Sequence, residues 1–384
     1  SFLCVVAASA VQPDESASTP SLHVFAVPED EQSARPLAAA IGPDKSVFFS
    51  AIRPGGELTL RRSALPANRA AGEASGPISR YQLKNFETYG TLCLNPSAGL
   101  IALDGRRNET AGVLIVAFAE QEDGRQYTLR EARWLPGFNL LCAVRNSDYF
   151  VLFRRSGERT GADLFVVGNA GTPVQFSALL PSPMFFHSSS VANADAASSQ
   201  GKMVLAVALA YFPQEPGGAN GIYFPQFAFI SVDLDRKFPI SSRILSLPPG
   251  RGVYSCYVSS DRLSASYYSF ETIRVARFSE SGEPTGMDAR HVPRDPKHQG
   301  MIHIGTTAAG LVSIRRESRM ELSATLLSPE PLRGYVPSAK RTFDMEDEFI
   351  VSQSGNCIVI ADADESFRYV IVAAGGQGEP APTD

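Results

Sequence analysis

Arginine doublets are the residues of this chain best suited to chemistry at a surface. Arg106-Arg107, Arg154-Arg155 and Arg315-Arg316 each follow an apolar run and lead into a polar stretch, while Arg251 stands in a Pro/Gly-rich connection. A guanidinium is planar and always charged, and its fork matches a carboxylate or phosphate through two parallel hydrogen bonds. Several such forks on one face would concentrate an anionic partner. Arg106, Arg107, Arg154, Arg155, Arg251, Arg315 and Arg316 are therefore the candidate ligand-binding residues.

Other chemistry finds less support. No nucleophile elbow, phosphate-binding loop, zincin motif or dinucleotide fingerprint is present. His291, His298 and His303 lie close in sequence, but the repeat described below puts His291 and His303 on opposite rims of one unit, which argues against a shared metal. Asp362-Ala363-Asp364-Glu365 and Asp233-Leu234-Asp235 lack the spacing and the glycine of a calcium loop. His187 beside Ser188–Ser190 has no assignable carboxylate for a triad. No cofactor and no metal are expected, and no catalytic residue can be named.

The elements that would position the arginines announce themselves by a recurring ending. A strand-like stretch closes on an apolar residue and proline at Val27-Pro28, Leu65-Pro66, Leu135-Pro136, Leu180-Pro181, Leu247-Pro248, Val292-Pro293 and Val336-Pro337. Three of the six steps are 44 or 45 residues, the others 38, 70 and 67. The clearest unit, 86–136, holds four alternating strands around Thr91–Asn95, Leu100–Asp104, Val113–Glu120 and 127–136. The doublets fall in its connection from second to third strand and in the matching connections of other units. The third-to-fourth-strand turns are acidic instead, as in 120–123 and 280–283. Two longer steps carry insertions at Ala67–Ser79 and at Ser188–Gln200 with Phe212–Gly221, which read as loops.

Four strands per unit, at about 40–50 residues, is the repeat of a propeller blade. The mature chain therefore resembles the β-propeller superfamily, in architecture only. It has no Trp-Asp, kelch or sialidase signature, so no functional residue is carried over. The resemblance implies an all-β fold and a seven-bladed β-propeller, with six blades as the alternative. A large β-sandwich or a β-helix is the outside possibility. The last unit supplies only three strands, 349–353, 357–361 and 367–373, whereas Leu22–Pro28 has a closing signature with no unit before it. The N-terminal strand is thus expected to complete the C-terminal blade and close the ring.

Cys93, Cys142 and Cys256 hold one slot in three units, which Ile304 fills in another, so they read as buried core thiols rather than disulfides. The 384 residues carry a net charge of −5, which argues against nucleic acid as a partner. No apolar run is long enough for a transmembrane span. Residues 1–10, SFLCVVAASA, resemble the back half of a secretory leader; lipidated Cys4 is the alternative. The expected organisation is a leader remnant and linker over 1–20, one propeller over 21–375 and a disordered tail over 376–384. The expected function is that of a secreted or periplasmic, monomeric scaffold binding a protein or an anionic glycan. A hydrolase or lyase working at the central channel and a purely structural module are the alternatives.

Overall fold

The computed structural model describes residues 20–27, 37–65, 72–73, 76–122, 126–155, 162–169, 171–180, 191–211, 224–236, 238–246, 258, 264–269, 272–278, 284–291, 301–307, 309–330, 334–344, 349–362 and 367–374. Cys4, Cys256, Arg251, the insertion Phe212–Gly221, the leader over 1–19 and the tail lie outside them.

The described strands form antiparallel meanders in chain order. The unit read at 86–136 contains strands Phe86–Asn95, Leu100–Arg107, Thr110–Glu120 and Tyr127–Pro136. The next contains Asn139–Arg145, Phe150–Arg155, Ala162–Val167 and Val174–Leu180. Its first strand also pairs in parallel, over two residues, with the first strand of a third meander, Val191–Ser199. Lys202–Tyr211, Phe224–Asp233 and Phe238–Ser246 complete that meander. Three strands follow at 264–291 and four at 301–344.

Closure is as the incomplete last unit suggested. Ser21–Ala26 runs antiparallel to Phe367–Ala374, with Phe25 opposite Val370 and Ala26 opposite Tyr369. The two chain ends therefore share one sheet with Phe349–Ser354 and Cys357–Asp362. The outer edge of the closing strand is partly covered by Gly72–Glu73, which pairs with Phe25 and Ala26.

Where cores between sheets are described, the pleat decides which residue faces which neighbour. In Val47–Arg53, Val47, Phe49 and Ala51 pack with Phe25, Val359 and Val370 of the closing sheet. Phe48 and Ile52 point the other way, against Ile101 and Leu114. In Leu100–Arg107, Ile101 and Leu103 face that seam, whereas Leu100 and Ala102 face Leu140 and Phe150 of the following meander. Side chains on a strand alternate faces, so a strand buried on both sides must be apolar throughout. That explains the unbroken runs at the second and third strands.

Two sequence readings are corrected. Leu65-Pro66 ends a third strand, Glu57–Ser63, and not a unit; the fourth strand is Ile78–Gln82, paired with Glu57–Arg61. The Ala67–Ser79 segment thus falls in the chain between a third and a fourth strand of one sheet, which is why the step from Pro28 to Pro66 is only 38 residues. Ser188–Gln200 is mostly a strand, Val191–Ser199, and not a loop.

No disulfide joins Cys93, Cys142 and Cys357 among the described residues. Cys142 and Cys357 are buried and Cys93 half-buried. Burial pushes the Cys93 and Cys357 thiols up to about 12, so they stay protonated at neutral pH. Among the described residues no helix is long and apolar enough to cross a membrane.

Candidate functional site

The doublets are strand residues, not loop residues. Arg106 and Arg107 end the second strand of their meander, opposite Ala111 and Thr110. The turn itself is only Asn108 and Glu109, both with positive φ, the backbone of a tight hairpin. Arg154 and Arg155 take the same position one sheet on, opposite Asp163 and Ala162. Arg315 and Arg316 lie near the end of Gly310–Ser318, opposite Ser323 and Leu322. All six therefore sit at the second-to-third-strand end of their meanders, which the ring arrangement turns to one rim.

Their surroundings are built from residues that the sequence did not point to. Gly105 and Gly112 are direct register partners on neighbouring strands. A methyl group on Gly105 would lie 2.5 Å from Phe86 Cζ, and one on Gly112 would lie 2.8 Å from the Trp134 ring. The glycine pair is a bare floor on which two aromatic rings rest, their centroids 6.0 Å apart and 86° inclined. The Arg107 guanidinium lies 5.3 Å from the Trp134 centroid. It donates to both Glu131 oxygens, at 2.7 and 2.8 Å. This bidentate bond holds the Glu131 carboxyl below its ordinary range and raises Arg107. Arg106 donates to Glu87 at 2.6 Å on the exposed side.

The pattern recurs in the next meander. Arg154 lies 5.5 Å from the Phe138 centroid and 5.0 Å from that of Phe165, and the two rings meet edge to face at 5.0 Å. Stacking of this kind fixes a long side chain and leaves its donors at the surface. In the 301–344 sheet Arg316 instead donates to the Arg319 carbonyl at 2.7 Å, while Glu317 accepts from Lys340 and Ser323 at 2.6 Å each. Arg155 ends its strand as stated; Arg251 lies outside the described residues.

Beneath this rim, Asp104 faces the neighbouring meander. Burial raises its carboxyl to about 7, against backbone hydrogen bonds from Leu140 and Gly105 that lower it. Its Oδ1 is buried with no hydrogen-bond partner among the described residues. An unfolded aspartate titrates near 4. Between about pH 4 and pH 7 the folded chain thus keeps a proton that the unfolded chain has lost, so stability falls as pH rises through that window. Asp104→Asn removes this fall. Thermal melts should show the variant more stable than wild type by about 4 kcal/mol at pH 8 and level with it near pH 4. Equal stability at both pH values would refute a neutral buried carboxyl.

The first-strand side is differently arranged. Arg145, last residue of a first strand, donates to Asp195 Oδ2 at 2.8 Å and also to the Val258 carbonyl. Asp195 accepts the Val258 N–H at 2.6 Å. A methyl group on Gly355 of the closing sheet would lie 3.2 Å from Arg145 Cδ. Arg145 thus joins its own meander, the next one, Val258 and the closing sheet. The Asp195 carboxylate is already engaged there by two donors. His303 lies in Met301–Thr307 and His291 ends Pro284–His291. No group of three His, Cys, Asp or Glu among the described residues is placed to hold a metal ion.

No family profile and no curated protein sequence matches the chain. Among solved structures, a chain of S. cerevisiae core factor aligns at 10% identity over 94% of this chain and 62% of its own, with a TM-score of 0.49. This chain spans about three fifths of that protein's length. The β-propeller domain of Myceliophteria thermophila Cps50 (Swd1) aligns at 10% identity over 90% of this chain and 98% of its own, TM-score 0.44. A PL25 ulvan lyase aligns at 10% identity over 94% of each chain, TM-score 0.46. The meanders stacked face to face, with first and last strands in one sheet, identify this chain as a β-propeller on its own topology.

Proposed function

We propose that the protein is a seven-bladed propeller working as an exported binding scaffold, with its ligand surface on the rim where second strands turn into third. Among the described residues, six meanders of four strands and one of three support the count of seven, and the apolar run Ser1–Ala10 supports export. The observation that carries the binding reading is the repeated stacking of a rim arginine on aromatic rings in two successive sheets, Arg107 on Trp134 and Arg154 on Phe138 and Phe165. Structural ion pairs alone would not need that ordering of exposed donors. The partner is a protein segment or a glycan, and several arginines on one rim favour one with negative charge.

The triple variant Arg106→Glu, Arg154→Glu, Arg315→Glu tests the reading. Retention on immobilised polygalacturonate and on a poly-glutamate peptide should drop by about tenfold for each arginine that contacts the ligand. Thermal stability should hardly change, because exposed ion pairs contribute little. Unchanged retention on a probe that the wild type binds would count against this rim.

A further inference from the structure

We infer that the closing strand, Ser21–Ala26, is an acid-sensitive latch with His23 as its sensor: docked most firmly at neutral pH, it opens more often once the imidazole can take up a proton. The latch is independent of the rim reading. His23 is 8% exposed, sits between Leu22 and Val24, each 1% exposed, and pairs with Val372 of the last strand. Its two ring nitrogens are not alike. Ser21 Oγ donates its single hydrogen to the Ala374 carbonyl at 3.1 Å. Toward the imidazole, 2.9 Å from Nε2, it therefore accepts. That places the proton on Nε2 and leaves Nδ1 as a lone pair. Nδ1 is buried with no hydrogen-bond partner among the described residues. A second proton would create a donor without an acceptor and a charge without water.

The neighbouring charges add to this cost. Burial first, and then the guanidinium of Arg341 on strand Gly334–Asp344, hold the imidazole below its ordinary range. Among the described residues no carboxylate hydrogen-bonds to it. Glu73, on the segment that covers the outer edge of the latch, pairs with Ala26, three residues along. Arg368 lies next to Tyr369, the other partner of Ala26. On the 301–344 sheet Glu321 and Asp344 are register partners of each other, Glu330 lies opposite Gly334, and Lys340 donates to Glu317.

The sense of the effect follows from linkage. A solvated imidazole titrates near 6.5. Below that value the undocked strand gains a proton that the docked strand refuses, so acid favours opening, while above it docking is unaffected. Opening frees the N-terminal strand and bares the edge of Phe367–Ala374. Asp104 acts in the opposite sense and on another sheet, and it cancels when a His23 variant is compared with wild type.

Hydrogen exchange read by mass spectrometry on the full chain, corrected for the intrinsic effect of pH, measures the opening of 21–26 directly. From pH 7.5 to 5.5 the opening equilibrium should rise about tenfold, with little change in Lys202–Tyr211 as the control strand. His23→Leu should abolish the rise, and His23→Gln serves as the second variant should the first not fold. No rise in the wild type would overturn the latch. So would an equal rise in Lys202–Tyr211, which would mark general acid unfolding, or a full rise retained in a folded His23 variant, which would assign the proton to another group.

Discussion

Removing the chain up to Val27 should abolish the cooperative unfolding transition. The lost segment buries Leu22, Val24, Phe25 and Val27, each at most 4% exposed. Fully burying such a side chain contributes about 2 kcal/mol, so four of them approach the 5–15 kcal/mol that typically holds a whole domain together. The damage also spreads to both neighbours. Phe25 packs edge to face on Phe49 at 5.5 Å. Leu22 and Val24 belong to the core shared with Val312, Leu326 and Ile371. Strand Phe367–Ala374 would be left with an open edge, and Gly72–Glu73 would lose its partner. Thermal melts followed by circular dichroism read the result. A peptide spanning 20–27, added in trans, should restore part of the transition. A truncated chain that melts within about 5 °C of wild type would show that the ring does not depend on its closing strand.

Asp195→Ala should cost about 3 kcal/mol, a large effect for one residue. The carboxylate is 5% exposed and holds two donors from different parts of the ring, Arg145 and the Val258 N–H. Its removal leaves the Arg145 guanidinium in a confined position without its counter-charge, which costs more than the pair itself contributes. Arg145→Met alone should cost a similar amount, because Asp195 keeps only the backbone donor. The double variant Asp195→Ala with Arg145→Met should recover much of the loss. A double-mutant cycle on chemical denaturation supplies the coupling, expected at about 1–3 kcal/mol. Additive single effects would mean that the two residues do not work as a unit. Binding at the rim should be unaffected in any variant that folds, which separates this buried pair from the ligand surface.

Ring closure was legible because it is a matter of bookkeeping along the chain. LHVFAVP has a closing signature and no unit before it, and the last unit lacks a fourth strand; the two defects fit each other. The error at Leu65-Pro66 has a physical cause. An apolar residue followed by proline marks the end of a strand, since proline cannot donate to a ladder, but it does not say which strand has ended. The strand at Val191–Ser199 was hidden by composition. Alanine, serine and asparagine have weak strand propensity, and the segment is held by its neighbours: Ala196 and Ala197 are buried against the adjacent meander, and Ser198 Oγ donates to the Asn146 carbonyl at 2.8 Å.

The candidate site was half legible. Arginine doublets at matching positions stand out in any sequence. Their glutamates do not, because Glu87 lies on the first strand and Glu131 on the fourth. Both reach the doublet only through the register of a folded sheet, and the register shifts between Glu131 and Arg133. The one available signal was the pair Gly105 and Gly112, seven residues apart across a tight turn in otherwise apolar strands. Glycine inside a strand often marks a close approach by another group; here that group is a pair of aromatic rings.

The central claim is that the two ends of the chain meet in one radial sheet. Ser21 and Ala374 are register partners, and Ser21 Oγ donates to the Ala374 carbonyl at 3.1 Å. Both side chains are small, so the variant Ser21→Cys with Ala374→Cys disturbs little, and neighbouring strand residues lie within disulfide reach. The protonated thiols of Cys93 and Cys357 should not compete. Mild oxidation of the native protein should give an intramolecular link between residues 21 and 374 that shifts the chain to faster migration on non-reducing gels, reversed by reductant, and raises its melting temperature. Failure to link under native conditions, with linking only after denaturation, would contradict the closed ring.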